Sequence, residues 1–233
     1  MATISYHERR GQLETYFDRT AVEAWARLTS TAPVGRIRAT VRAGRDDMRN
    51  TLLGFLPADL GARRELDAGC GTGALSVAAA QRGAAVLAID LSPTLVELAR
   101  ERLPAQLGKG RIDFRTGDMS DAGLGEFDHV VAMDSLIHYR AADVVRVLAG
   151  FAPRTRHSIV FTFAPKTPAL TLLWSIGRLF PRKDRAPAIE PVSERGIRAA
   201  IAREPLLAAW RIGRTRRVAS GFYKSQALEL VKP

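Results

Sequence analysis

The sequence contains one cysteine, Cys70, among 233 residues, so the chain cannot form an internal disulfide. It also lacks any apolar run that reaches the ~18 residues of a membrane-spanning helix. The first residues, MATISYHERR, are charged and have no apolar core of the kind that a secretory signal needs. These absences argue against a disulfide-rich secreted domain and an integral membrane protein, and they predict a cytoplasmic protein in a reducing compartment.

Acidic residues are scarce relative to basic ones. The chain has 24 aspartates and glutamates and 35 lysines and arginines, which leaves a net charge of +11. Such a charge attracts nucleic acid, an anionic membrane surface or an acidic small molecule. The arginines are spread along the chain, and the sequence has no stripe of basic and aromatic residues that would bind single-stranded nucleic acid. We therefore expect no nucleic acid partner.

No internal repeat is visible, and from residue 64 onward apolar strand-like runs alternate with helix-like segments. Alternation with short links is typical of an α/β fold with a doubly wound, mostly parallel sheet. Residues 1–60 have helical periodicity and predict an N-terminal helical segment that packs on a core formed by 61–233. The predicted N-terminal helices are 6–28 and 36–56, and the seven predicted strands are 64–68, 84–89, 111–116, 127–133, 157–164, 206–213 and 222–230.

An excursion at about 165–191 interrupts the alternation. It contains the short apolar segment ALTLLWSIGRLF between prolines and basic residues. Three interpretations stay open: a helix that packs on the domain, a lid over the carboxyl edge of the sheet, or a helix that lies on a membrane surface. Because the preceding strand ends at that edge, a substrate lid is the working prediction.

A glycine-rich loop, LDAGCGTGA at 66–74, follows the first predicted strand and opens a helix. Glycines there let the backbone turn tightly and let a ligand approach closely. The spacing of Gly69, Gly71 and Ala74 also fits the dinucleotide fingerprint. However, Asp67 ends the strand, and a carboxylate there would repel a pyrophosphate and would suit a ligand that carries a positive charge.

Two further acids follow the second and third predicted strands. Asp90 is placed to accept the two hydroxyls of a ribose. Asp118 is placed to accept from an exocyclic adenine amine, and Met119 can pack on the same ring. Three acids at the ends of three successive strands predict a site for a cationic nucleoside.

The chain resembles the class I S-adenosylmethionine-dependent methyltransferases in four segments, which are DAGCGTG, AIDLS, GDM and FDHVVAMDSLIHY. The resemblance implies a Rossmann-like seven-stranded fold, S-adenosyl-L-methionine as cofactor and S-adenosyl-L-homocysteine as product. Cys70 is then expected to pack in the glycine loop rather than to act as a nucleophile. The resemblance assigns to cofactor binding Asp67, Gly69, Cys70, Gly71, Gly73, Asp90, Leu91, Asp118, Met119 and Asp134.

More of the chain resembles one subfamily, the magnesium-protoporphyrin IX O-methyltransferases of bacteriochlorophyll synthesis. The resemblance extends from EAWARL near the N-terminus to GFYKSQALELVK, and its most specific part is FAPKTP followed by GRLFP. It implies methyl transfer to a propionate carboxylate of Mg-protoporphyrin IX, with Mg²⁺ present only in the substrate and no metal site in the protein. One departure is Thr29, which stands where many members carry a tyrosine shortly after the tryptophan that matches Trp25.

The same resemblance places the acceptor beside the tail of the fourth strand. His138 lies there and is the candidate catalytic residue. It could orient the propionate by a hydrogen bond, take its proton or ligate its Mg²⁺, and it could instead cap the next helix. A flat apolar ring with two carboxylates needs an apolar cleft with basic groups at its rim. The residues predicted to bind it are Tyr139, Lys166, Trp174 and Arg178.

The acceptor has an alternative, which is another apolar acid or a quinone-like phenol. Contact with a magnesium chelatase subunit and peripheral association with the photosynthetic membrane are further open expectations. The sequence leaves undecided which propionate is methylated and how many copies of the chain associate.

Overall fold

Seven strands form one sheet in the computed structural model, which describes residues 6–16, 18, 28, 29, 33, 35–166 and 189–233 without the side chain of His7. The strands are β1 (Arg64–Ala68), β2 (Ala85–Asp90), β3 (Arg111–Thr116), β4 (Phe127–Ala132), β5 (Thr155–Phe163), β6 (Arg211–Ser220) and β7 (Tyr223–Val231). The helices of the described residues include α1 (Tyr6–Thr15), α2 (Arg36–Phe55), α3 (Ala74–Gln81), α4 (Pro93–Glu101), α5 (Ala141–Phe151) and α6 (Glu194–Ala202).

The strand order is β3-β2-β1-β4-β5-β7-β6. Strands β1 to β5 pair in parallel, whereas β7 pairs antiparallel with both β5 and β6. This arrangement confirms the predicted mostly parallel seven-stranded sheet. In the register, Asp67 of β1 pairs with Ala88 of β2 and Val131 of β4. The carboxyl ends of these three central strands therefore meet at one edge.

Helices cover both faces of the sheet because the strands are apolar on both. On one face, Leu66 of β1 and Phe161 of β5 pack in a core that includes Leu148 of α5 and Ile197 of α6. The core of the opposite face combines Val131 of β4 with side chains from α2, α3 and α4, which include Met48, Leu52, Leu75, Ala79 and Val96. α2 is thus part of the main core, while the predicted boundary between 1–60 and 61–233 stays a prediction.

Local sequence signals account for two helix starts. The Ser92 hydroxyl accepts a hydrogen bond from the Leu95 N–H at 3.2 Å, and Pro93 occupies the first turn of α4. The Ser193 hydroxyl accepts from the Gly196 N–H at 3.1 Å and caps α6 in the same way. Each cap satisfies a backbone N–H that has no partner within its own helix.

One predicted strand has different bounds in the structure. The strand predicted at 206–213 is wrong in its first half, because 205–207 forms a 3-10 turn and β6 begins at Arg211. Pro205 has no N–H for a strand ladder, and the Glu204 carboxylate accepts from the Leu206 N–H at 3.3 Å. Of the helix predicted over 6–28, the structure describes α1 at Tyr6–Thr15, and most of the residues that follow lie outside the described part, so its predicted end stays a prediction.

The lid predicted at about 165–191 also lies mostly outside the described residues, since 167–188 belong to the undescribed part. At its two ends, Lys166 N–H donates to the Val192 carbonyl at 3.0 Å and Val192 N–H donates to the Ala164 carbonyl at 2.9 Å. The excursion therefore leaves and returns beside the end of β5. Among the described helices, none has the length and apolar character required to cross a membrane.

Candidate active site

The glycine loop between β1 and α3 is bent by three residues with positive φ. Gly69, Gly71 and Gly73 have φ angles of 85°, 53° and 77°. Residues other than glycine rarely adopt such angles. A Cβ atom on Gly69 would lie 2.3 Å from the Cβ of Ser135. The N–H groups of Gly69 and Cys70 both donate to the Ile89 carbonyl, at 2.8 and 3.0 Å. Glycine is therefore needed for the loop to fold onto the ends of β2 and β4.

A cavity of about 920 Å³ opens at this edge of the sheet. Its volume lies near the top of the range of about 300–1,000 Å³ for small-molecule sites. Two residues predicted to bind the cofactor are absent from its described wall, namely Gly73, which packs behind the loop near Phe114, and Asp118. The predicted residues in the wall are Asp67, Gly69, Cys70, Gly71, Asp90, Leu91, Met119, Asp134, His138 and Tyr139.

Asp67 places a buried carboxyl group at the floor of the cavity. Its side chain is 1% exposed and accepts a hydrogen bond from the Ser76 hydroxyl. The pKa of Asp67 is raised to about 7, because burial and the nearby Asp90 together outweigh the lowering effect of the Ser76 bonds. A buried anion gains most from a positively charged neighbour. The site can therefore favour a cationic ligand, as the sequence predicts.

Asp90 is held at the end of β2 by two backbone donors. Gly71 N–H donates to its Oδ2 at 2.8 Å, and Ser92 N–H donates to its Oδ1 at 3.0 Å. Burial raises the pKa of Asp90, and the bonds from Ser92 and Gly71 lower it. Each carboxylate oxygen keeps a second lone pair. The group is oriented and can still accept hydroxyl donors from the cavity side.

Asp118 is engaged by α1 rather than presented to the cavity. Arg10 donates to its Oδ2 at 2.7 Å, while Tyr6 and both donors of Ser120 bind its Oδ1 at 2.7–3.3 Å. Burial would raise the pKa of Asp118, but the bonds from Ser120 and Arg10 outweigh it and lower the pKa. Three of these donors bind Oδ1 and only Arg10 binds Oδ2, so Oδ2 keeps a lone pair that can accept a further donor. The adenine role of Asp118 stays a prediction.

The Asp134 carboxylate also accepts hydrogen bonds from several protein groups. Its φ of 55° is unusual for a residue with a side chain. Arg45 of α2 donates to its Oδ2 at 2.8 Å, the Tyr223 hydroxyl to its Oδ2 at 3.0 Å, and the Ser225 hydroxyl to its Oδ1 at 3.0 Å. The Thr162 hydroxyl accepts from the Asp134 N–H at 2.7 Å. Asp134 thus ties the loop after β4 to α2, β5 and β7, and its predicted cofactor contact stays untested.

His138 and Tyr139 lie on the turn that leads from β4 to α5. Both are buried, at 7% and 3% exposure, and both line the cavity. Tyr139 stacks on Tyr6 with ring centroids 5.1 Å apart, and burial raises its pKa. The capping position of α5 is occupied by Arg140, so His138 is not its cap residue. His138 is therefore a histidine that lies in the cavity wall without a helix-capping role.

Only one of the three residues predicted to form the lid side of the acceptor site, Lys166, belongs to the described part of the chain. Lys166 is exposed and is not in the wall, and Trp174 and Arg178 lie outside the described residues. Instead, one face of α2 lines the cavity with Arg38, Arg42, Arg45 and Arg49. Their spacing of 4, 3 and 4 residues is that of one helix face. This periodicity was readable in the sequence, but the direction in which the face points was not.

Thr29, which the sequence analysis set against a tyrosine of many family members, is in the cavity wall as well. Its hydroxyl accepts a hydrogen bond from Arg102 at 3.0 Å. Trp25, the tryptophan that marks this position, lies outside the described residues. The departure from the family pattern therefore falls inside the site.

Comparison with known proteins agrees with this geometry. Residues 66–157 match the family model of a methyltransferase domain, and residues 132–232 match the model of the magnesium-protoporphyrin IX methyltransferase C-terminus. The chain is 49% identical over 225 residues to the magnesium-protoporphyrin O-methyltransferase of Rhodobacter capsulatus, covering 96% of this chain and 97% of that protein.

Solved structures of a magnesium protoporphyrin IX methyltransferase are also similar to this chain. The magnesium protoporphyrin IX methyltransferase of Synechocystis PCC 6803 with bound SAH superimposes with a TM-score of 0.83 at 30% identity, covering 96% of this chain and 100% of that one. The same enzyme with bound SAM gives a TM-score of 0.78 at 25% identity over 100% of both chains. The chain belongs to the magnesium-protoporphyrin IX O-methyltransferases, a family of class I S-adenosylmethionine-dependent enzymes.

Proposed function

We propose that the protein transfers a methyl group from S-adenosyl-L-methionine to a propionate carboxylate of Mg-protoporphyrin IX, which yields the monomethyl ester in bacteriochlorophyll or chlorophyll biosynthesis. Family membership supports the reaction. The observation that carries the assignment of roles is that the glycine loop, Asp67 and His138 line one cavity whose mouth is basic. Such a cavity suits a cationic nucleoside and an acidic acceptor together.

The cofactor side of the cavity is the glycine loop with its two acids. When bound, S-adenosylmethionine supplies a methyl group that is activated by a positively charged sulfur. The Ser135 side chain fills the position of a Cβ atom on Gly69, so glycine lets the loop pack against the segment that follows β4 and keeps its shape at the cavity wall. Asp67 would balance positive charge, and Asp90, already oriented by Gly71 and Ser92, would accept ribose hydroxyls.

The acceptor side is formed by His138, Tyr139 and apolar residues such as Met133 and Ile137. A propionic acid titrates near the pKa of about 4.3 of a glutamate, so at pH 7 it is already an anion and needs no general base. His138 would hold that carboxylate by a hydrogen bond and keep one oxygen aimed at the methyl group. In the reaction, a negative and a positive charge disappear, so a water-poor cavity favours it.

The test is turnover of Mg-protoporphyrin by the purified protein, with the ester detected by chromatography and mass spectrometry. The variant His138→Ala should bind S-adenosylhomocysteine normally but lose transfer by about 10²-fold or more. His157→Ala is the matched control, because His157 is half exposed on β5 and is not in the cavity wall. Normal turnover in His138→Ala would remove the catalytic role from this residue.

A panel that adds an apolar monocarboxylic acid and a quinone-like phenol would test the alternative acceptors. Methylation of either with Mg-protoporphyrin left unmodified would overturn the assignment.

We also propose a cytoplasmic location with peripheral contact to the photosynthetic membrane and contact with a magnesium chelatase subunit. The charge of +11 and the exposed side chains of Ile37 and Phe222 support a surface that attracts such partners. Co-sedimentation with anionic vesicles and with the chelatase subunit would test each one.

A further inference from the structure

The mouth of the cavity is built from two elements that are far apart in the sequence. Arg38 and Arg42 come from α2, whereas Phe222 and Lys224 come from the hairpin that joins β6 to β7. We call these four residues the α2–hairpin rim. All four line the cavity, and Phe222 is 61% exposed. An exposed aromatic side chain among cations suits a ligand that is both apolar and anionic.

Close backbone packing holds the rim in place. A Cβ atom on Gly44 of α2 would lie 2.5 Å from the Tyr223 ring, and one on Gly221 would lie 2.2 Å from the Thr40 hydroxyl. Arg216 of β6 also donates to the Thr51 hydroxyl of α2 at 2.8 Å. The hairpin and the helix therefore contact each other over several turns, so the rim is assembled before any ligand arrives.

The arginines deeper along α2 already have partners. Arg45 forms an ion pair with Asp134 at 2.8 Å, and Arg49 forms one with Asp46 at 2.9 Å. Arg38 and Lys224 differ, because no carboxylate of the described residues lies within ion-pair distance of either. Their charges therefore have no structural role in the described part of the chain and are available to an anion at the mouth.

We propose that Arg38 and Lys224 bind the propionate of the acceptor that is not methylated. The proposal rests on the proposed function, in which the acceptor carries two carboxylates. One must reach His138 inside the cavity, and the other then needs a cation to offset its lost hydration. Arg38 and Lys224 supply that charge at the entrance, while Phe222 contacts the ring.

The rim would also limit the proposed reaction to the monoester. To receive a second methyl group, the product would have to bind in reverse, with its ester at the rim and its remaining carboxylate at His138. An ester has no negative charge and gains nothing from Arg38 and Lys224. The rim thus selects a dicarboxylate and disfavours the product as a second substrate.

The experiment compares wild type with Arg38→Ala, Lys224→Ala and the double variant. We expect the KM for Mg-protoporphyrin to rise about fivefold in each single variant and at least about tenfold in the double variant. Affinity for S-adenosylhomocysteine should not change. Arg36→Ala is the matched control, because Arg36 begins the same helix, is exposed and is not in the cavity wall.

A binding assay separates this proposal from the proposed function. Quenching of protein fluorescence by Mg-protoporphyrin and by its dimethyl ester gives the preference of each variant for the diacid. Wild type should prefer the diacid, and the double variant should lose the part of that preference that the rim supplies, while the carboxylate at His138 still favours the diacid. If the double variant keeps both the wild-type preference for the diacid and the wild-type KM, the rim does not bind the second propionate, even if wild type is fully active. Wild type that binds the diacid through the rim but transfers no methyl group would refute the proposed function alone.

Discussion

Glu65 lies at the second position of β1 and is completely buried. Neither of its carboxyl oxygens has a hydrogen-bond partner among the described residues. Burial raises the pKa of Glu65 to about 8, Asp67 two residues on raises it further, and Arg82 lowers it. We expect Glu65→Gln to remove this titration, because the amide has the same shape and cannot ionise.

The magnitude follows from the difference between folded and unfolded protein. The pKa of Glu65 is 4.5 when the chain is unfolded and about 8 when it is folded. Between these values the folded protein holds a proton that the unfolded chain has lost, so stability falls as the pH rises from 4.5 to about 8. At about 1.4 kcal/mol per pH unit, the difference between pH ~5.5 and ~8.5 is about 3 kcal/mol.

Urea unfolding at pH 5.5, 7 and 8.5 measures this effect, because the free energy of unfolding follows from the midpoint and slope. Glu65→Gln should match wild type at the lowest pH and exceed it by about 3 kcal/mol at the highest. Glu101→Gln, an exposed carboxylate at the end of α4, is the matched control and should follow wild type throughout. A variant that keeps the wild-type pH dependence would refute the account of Glu65 as a buried acid.

Other predictions concern the cavity and its supports. Asp67 has a pKa of about 7 in the free protein, so binding of a cationic cofactor should expel its proton. The affinity for the cofactor, measured by calorimetry, should therefore rise with pH from 6 to 8. The variant Asp67→Asn should lose that pH dependence. Gly69→Ala should abolish cofactor binding in the same assay, whereas Gly54→Ala, in an open part of α2, should raise the free energy of unfolding by about 0.5–1 kcal/mol. Tyr223→Phe should cost about 1.5–3 kcal/mol of stability in urea, because it removes a donor from the Asp134 carboxylate. Wild-type behaviour in any of these variants would contradict the corresponding contact.

Much of the fold was predictable because its signals are local. Strands β2 and β4 stand out as apolar runs, and the Ser92-Pro93 pair marks the start of α4. The glycine loop is predictable for the same reason, since a positive φ favours glycine whatever surrounds it. The family resemblance added the cofactor and the acceptor, which no single motif could have supplied.

The sequence could not show which distant residues contact the acids of the site. The hydrogen bond between Arg10 and Asp118 spans 108 residues, and that between Arg45 and Asp134 spans 89. Spacing alone cannot show which carboxylate of a site is taken by another part of the chain. The sequence predicted the basic residues of the acceptor site within 165–191. The described cavity wall has its arginines on α2.

The amino-acid sequence by itself determined the order of strands and helices, the glycine loop and the acids at the strand ends, because each depends on neighbours within a few residues. Only the tertiary structure decided which side chains meet in the cavity. Packing of α2 against the β6–β7 hairpin brings Arg38 and Lys224 to one opening, and that packing depends on contacts between residues nearly two hundred positions apart.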